Sequence, residues 1–264
     1  MDKIQKELRL LKGYALFSTV LFAVLIFLAA KNPSKKVRFE ELDAERINIV
    51  EGDGKVRLTL ANHERMPGGR MAGVELSSRE GNRTMGAGGA PTAGLLFFND
   101  DGDECGGLVY GSTMVDGKPN AVVNLTFDHY GQNEAIGIMH GDRGDATRSG
   151  LEVWDTGAPF TADFGRRYND ILQMKDGQEK DAALKKLSTE HAAELTFAPR
   201  LFVGRLAEND AAAVILMDTQ SKPRIRMAVD ASGAPSLEFL DAHGKVTYSL
   251  PERGDDADNK SPMH

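Results

Sequence analysis

Residues 46–62, RINIVEGDGKVRLTLAN, decide the fold. Ile47 and Ile49 alternate with polar neighbours. Asp53-Gly54 follows, and Val56, Leu58 and Leu60 then alternate with Arg57 and Thr59. Alternation with a period of two places successive side chains on opposite faces of a strand, and Asp-Gly between two such runs is a strong hairpin signal. One face is expected to be buried and the other, carrying Lys55 and Arg57, to meet water.

The same pattern continues along the chain. Residues 94–111, GLLFFNDDGDECGGLVYG, place Asp101-Gly102 between two apolar runs, and residues 121–141 do so around Tyr130-Gly131. Residues 213–250 string four strands together through turns at 219–222, 231–233 and His243-Gly244. The 28 glycines fall mostly in such turns. The final unit, DAHGKVTYSL, echoes GDGKVRLTL of the first, which points to divergent copies of one strand–turn–strand unit. The expected fold is mainly β: an antiparallel meander of repeated hairpins, sandwich or barrel-like, with an inserted helical hairpin and one N-terminal transmembrane helix.

The helical insert is read over 160–195. Phe164, Tyr168, Ile171 and Leu172 recur at helical spacing, as do Leu184, Leu187, His191 and Leu195, with Asp176-Gly177 between the two sets. Thr161 or Asp163 can cap the first helix. Its apolar stripe is expected to pack on a sheet face. Residues 62–92 give little strand signal beyond one short strand near 73–77.

Tyr14 to Ala30, YALFSTVLFAVLIFLAA, carries no charge over 17 residues and is apolar all round, as a lipid-facing helix must be. An uncleaved anchor is favoured over a cleaved signal peptide, because the apolar run exceeds the usual ~7–15 residues. The chain therefore divides into a short tail (1–13), the span (14–30), a linker (31–38) containing Pro33, the β-rich domain (39–250) and a polar, disordered tail (251–264). Four basic residues flank each side of the span, so charge does not orient it. A short N-terminal tail before a large domain favours an extracytoplasmic domain at the cell membrane.

The net charge is −7. Residues 1–30 contribute +2, from Lys3, Lys6, Arg9 and Lys12 against Asp2 and Glu7, which leaves −9 on the remainder. So acidic a domain repels phosphate backbones, and nucleic acid is not expected as a partner. Expected partners are the lipid bilayer, through Tyr14 to Ala30, and a protein partner or a second copy of the chain. Cys105 is the sole cysteine, so no intrachain disulfide and no multi-thiolate metal site can form.

The run FEELDAERINIVEGDGKVRLTLAN, followed by GLLFFNDDGDECGGLVYG, LTFDHYGQNEA and RLFVGR, resembles a bacterial family of single-span membrane proteins with an ERINIVExDG and GDECGG-type β-repeat domain. The resemblance covers roughly residues 39–250. It implies a bacterial, membrane-anchored protein, and it carries no activity, ligand or catalytic residue.

Candidate chemistry is sparse. Residues 99–104, NDDGDE, form the densest set of oxygen ligands, but the glycine falls too early for an EF-hand loop, and carboxylates in a hairpin turn fan out into water. His129, His140 and Asp142 form a conceivable acid/base or metal set. Cys105 lies among acidic residues that oppose a thiolate. Trp154, the sole tryptophan, is a conceivable partner contact, with packing the commoner role. Known phosphate-loop, nucleophile-elbow and zinc-helix motifs do not occur in the sequence. The expected function is a membrane-anchored, non-enzymatic binding or scaffolding domain with no cofactor and no metal. Its candidate surface is Trp154, Asp101, Asp103, Glu104, His129 and His140. The alternative is an envelope hydrolase or metal-dependent enzyme using Asp100–Glu104 or His129 and His140.

Overall fold

The computed structural model describes residues 2–30, 36–76, 84–85, 90–207 and 209–252. Of the expected linker (31–38) only residues 36–38 are described, and of the tail expected at 251–264 only Pro251 and Glu252; the remainder of both lies outside the described residues. The chain forms two units, residues 1–43 and 44–264.

The first unit contains α1 (Asp2–Ala30), whose segment Lys3–Phe27 is long and apolar enough to cross a membrane. Its leucines and phenylalanines are exposed around the whole circumference. Thr19 donates its hydroxyl to the Ala15 carbonyl at 2.8 Å, the usual way a helix in lipid satisfies such a group.

The second unit is an antiparallel meander. Its strands are β1 (Arg46–Val50), β2 (Val56–Ala61), β3 (Arg70–Met71), β4 (Val74–Glu75), β5 (Thr84–Met85), β6 (Ala90–Phe98), β7 (Glu104–Val115) and β8 (Lys118–Asp128). They continue with β9 (Glu134–Arg143), β10 (Ala146–Thr156), β11 (Phe197–Arg205), β12 (Ala212–Met217), β13 (Pro223–Val229), β14 (Pro235–Leu240) and β15 (Val246–Leu250). Twelve of them pair in chain order, β1-β2-β6 through β15, while β5 adds to β6 and β3-β4 is a separate hairpin. β1 and β15 each pair on one side only.

Four of the turns share one design. In the loops starting at Asn99, Asp218, Asp230 and Asp241, the first residue's N–H donates to the carbonyl four residues on. That same residue's side-chain Oδ1 accepts from the N–H groups two and four residues later. This Asx arrangement mimics a backbone turn and is why Asp or Asn opens each loop. Two tighter turns, Asp116-Gly117 and Gly144-Asp145, join β7 to β8 and β9 to β10, adding to the turns read from the sequence.

Side chains directly opposite one another in antiparallel strands share a face. One row across the sheet is Ile47, Leu60, Leu95, Leu108, Leu125, Ile138, Leu151, Val203, Val214, Met227, Leu237 and Leu250, an apolar residue on every strand. The adjacent row on the same face is Ile49, Leu58 and Phe97, then Phe127, Ile136, Val153, Leu201, Leu216, Ile225, Phe239 and Tyr248. At β7 that row passes through Gly106, and the Phe97 and Phe127 rings on either side meet at 6.3 Å.

The opposite face reads Asn48, Thr59, Leu96, Gly107, Thr126, Gly137, Glu152, Phe202, Ile215, Arg226, Glu238 and Ser249. Large side chains here lie flat over glycines of the next strand. A Cβ at Gly150 would stand 2.5 Å from the Phe202 ring, and one at Gly137 would stand 3.1 Å from the Trp154 ring. Met66, from the loop after β2, packs with Ala61, Leu96 and Val109 on this same face.

The insert consists of α2 (Ala162–Leu172) and α3 (Gln178–Glu190). Thr161 caps α2, its hydroxyl accepting from the Phe164 N–H at 3.2 Å. The apolar stripe does not lie on the meander as expected. Phe164, Ile171 and Leu187 form their own small core with Met71, Phe160 and Tyr168, and α2 packs on β4, where Gly165 closely approaches Val74. The short β3-β4 hairpin, weakly marked in sequence, supplies the surface that the helices need.

Candidate functional site

The acidic stretch 99–104 is a turn whose carboxylates diverge. Asp100 pairs with Arg57 at 2.7 Å, and Asp101 accepts the Tyr130 hydroxyl proton. Asp103 is buried at 7% exposure; its Oδ1 accepts the Gly73 N–H at 2.8 Å and lies 3.7 Å from Arg70 Nε. The Asp101 carboxylate, through this hydrogen bond and its charge, raises the Tyr130 phenol above its ordinary pKa. Asp103 is thus a bracket tying the β3-β4 hairpin to the β6–β7 turn rather than a surface contact.

Glu104 and Asp103 line a cleft of about 160 Å³ with Arg70, Asp128, Glu134 and Phe160. Cys105 lies beside Glu104 at the start of β7. Burial first, and the Asp128 carboxylate second, push its thiol pKa up, which favours the neutral form. Among the described residues no three of His, Cys, Asp and Glu are grouped as metal ligands would be.

Trp154 is placed on the glycine-rich face, 5% exposed, stacked on Phe197 at 5.0 Å and covering Gly137. A surface role for Trp154 is therefore corrected: its indole is a packing element. Alternation from Val153 puts it on that face, and the register shift beside it pairs it with Pro199.

His129 and His140 do not converge. His129 opens the β8–β9 turn, whereas His140 lies six residues beyond Glu134 on β9, roughly 20 Å away at about 3.3 Å per residue. His140 instead faces Ser149 across β9 and β10. Its Nδ1 is 2.7 Å from Ser149 Oγ, and its Nε2 is 3.3 Å from Asp142 Oδ2. Asp142 also accepts the Thr147 hydroxyl at 2.8 Å; that bond first, and His140 next, lower its carboxyl pKa. Arg205, opposite Ser149 on β11, completes this polar patch at the margin of the aliphatic rows. Ser149 carried no signal of its own in sequence. Only the register set by the Gly144-Asp145 turn brings it to His140.

The largest candidate surface is the aliphatic face itself. Ile138, at 55% exposure, Met227, at 54%, and Leu60, Val203, Leu216 and Leu250 stand open on it. An apolar surface continuous over so many strands is what partner-binding sites present. Comparison with protein-family models, with curated proteins and with solved structures gave no match to this chain.

Proposed function

We propose that this protein is a membrane-anchored, non-enzymatic binding or scaffolding platform of the bacterial cell envelope. In this reading α1 spans the bilayer, and the meander is displayed on the extracytoplasmic side. One observation carries the proposal: one row of apolar side chains on all twelve strands, and a second interrupted only at Gly106, have no layer of the described residues of the second unit over them. Leaving such a face in water costs free energy, at about 25 cal/mol per Å² of apolar surface, so it persists where a partner covers it. A photoreactive residue placed at Ile138 in the full-length protein is expected to form protein adducts in native membranes. One placed at Thr126, on the opposite face, is expected to form few. Absence of adducts from Ile138 and from a second face position, Met227, ends the proposal.

A second reading, an envelope hydrolase, is favoured by the Ser149–His140–Asp142 chain rather than by Asp100–Glu104 or by His129 with His140. His140 in its neutral form can accept the Ser149 proton, and Asp142 can hold the resulting imidazolium. The group lies on an open sheet face, half exposed. Ester turnover by the purified full chain, lost in Ser149→Ala and in His140→Ala, would move the assignment here. No turnover leaves the scaffold reading in place.

A further inference from the structure

We infer that the aliphatic face is an isologous interface between two copies of this chain. The inference rests on the platform reading above and names its partner.

Size supports it first. Twelve strands about 4.8 Å apart span roughly 55 Å, and two rows of side chains span about 14 Å along the strands, giving about 800 Å². That matches the ~800 Å² each partner contributes to a standard interface. Composition supports it next. Neither row contains a charged residue, while His140, Ser149 and Arg205 lie at its margin. Interfaces have the same plan, with charge depleted at the centre and polar groups at the rim.

Shape chooses between a second copy and a lipid surface. Adjacent strands rotate by roughly 20–25°, so a flat bilayer meets only a few strands before the rows turn away from it. A second copy has the same twist, and two such sheets pack aligned, about 10 Å apart. The charge of −9 outside residues 1–30 also opposes adsorption to anionic lipid. Pairing through the free edges of β1 and β15 would lengthen the sheet and leave this face bare.

The test uses the full-length chain in membranes with Cys105→Ser, leaving one introduced thiol per chain. Ile138 sits in the central strands, near any two-fold axis lying between the sheets. A bis-maleimide chosen to bridge the ~10 Å between packed sheets is expected to give at least tenfold more covalent dimer from Ile138→Cys than from Ser236→Cys on the opposite face. Val203→Cys repeats the measurement at an independent position, so a folding defect in one variant does not decide the result. Equal yields from both faces, or no dimer from either Ile138→Cys or Val203→Cys, overturn the inference. Quenching of a fluorophore on Ile138→Cys by spin-labelled lipid, without cross-linking, assigns the face to the bilayer and overturns it as well. Adducts of the photoreactive Ile138 variant with a different protein only, without covalent dimer, overturn the second copy while sparing the platform reading.

Discussion

Phe202 on β11 and Ile138 on β9 are both large apolar residues near the middle of the sheet, yet Phe202 is 1% exposed and Ile138 is 55% exposed. They belong to opposite faces. Phe202 lies down over Gly150, and the Arg148 guanidinium closes over its ring at 4.2 Å. Ile138 has Leu125 and Leu151 as its cross-strand neighbours, so it stands upright between side chains of similar bulk. A single layer of sheet can bury a ring on itself only where the adjacent position is a glycine. The glycine-rich face is therefore closed by its own rings together with Met66 of the loop after β2, and the aliphatic face needs a second layer from elsewhere.

The largest expected effect breaks the closed face. Phe202→Ala removes a fully buried ring and the cation–π contact of Arg148, which keeps its ion pair with Glu152, and a loss of about 3–5 kcal/mol is expected from urea denaturation. Ile138→Ala, measured on chains held apart at high dilution, is expected to cost about 1 kcal/mol or less, as for a surface change. Similar losses at the two sites would erase the distinction between the faces.

Adding a methyl group tests the same point from the other side. In Gly150→Ala the new Cβ meets the Phe202 ring and the Val203 carbonyl, at 2.5 and 2.8 Å, and about 1–3 kcal/mol of destabilisation is expected from the shift in denaturation midpoint. Gly137→Ala, with 3.1 Å to the Trp154 ring, should be milder and should shift the tryptophan emission. An unchanged emission spectrum would mean that the indole does not rest on that glycine.

Arg226 and Glu238 supply the polar counterpart, paired at 2.6 Å across β13 and β14 with the carboxylate nearly buried. Arg226→Ala removes two charged hydrogen bonds to that carboxylate and is expected to cost about 1–2 kcal/mol, reduced from the fully buried case because the arginine is partly exposed. Glu238→Gln should cost less.

The smallest effect concerns the turns. The Lys222 N–H lowers the Asp218 carboxyl pKa, the Ser232 hydroxyl and then the Ala234 N–H lower that of Asp230, and the Lys245 and His243 N–H groups lower that of Asp241. A carboxyl held below its unfolded value binds fewer protons in the folded state, so its stabilisation is present above the unfolded pKa near ~4 and is lost as pH falls through the folded value. Replacing all three by Asn keeps the turn geometry and is expected to flatten the fall of melting temperature below pH ~4. An unaltered acid limb would place the acid sensitivity elsewhere in the meander.

Much of the meander was legible because each signal was local. Alternation on both sides of Asp53-Gly54, Asp101-Gly102 and His243-Gly244 needs only neighbouring residues to be read, and so does the spacing that marks α2 and α3. What was hidden depends on register between strands. Trp154 reads as a surface candidate until Gly137, 17 positions earlier in sequence, is placed beneath it. Asp103 reads as one acid among several until the Gly73 N–H reaches it from the β3-β4 hairpin. Ser149 has no signature at all. In sequence the aliphatic rows read as a buried face, because an apolar stripe states a preference for burial and not the identity of what covers it.

From β6 to β15 spatial order follows chain order, each strand bonded to its neighbours in sequence, while β2 skips the short strands β3 to β5 and pairs with β6. Such an arrangement has a low contact order, so a newly made hairpin can lock onto its predecessor without waiting for distant sequence. Cooperativity then passes from neighbour to neighbour, as in repeat proteins, and the terminal strands are the first to fray. Hydrogen exchange would accordingly be fastest at β1 and β15 and slowest near β8 to β10, and removing β15 would expose only β14.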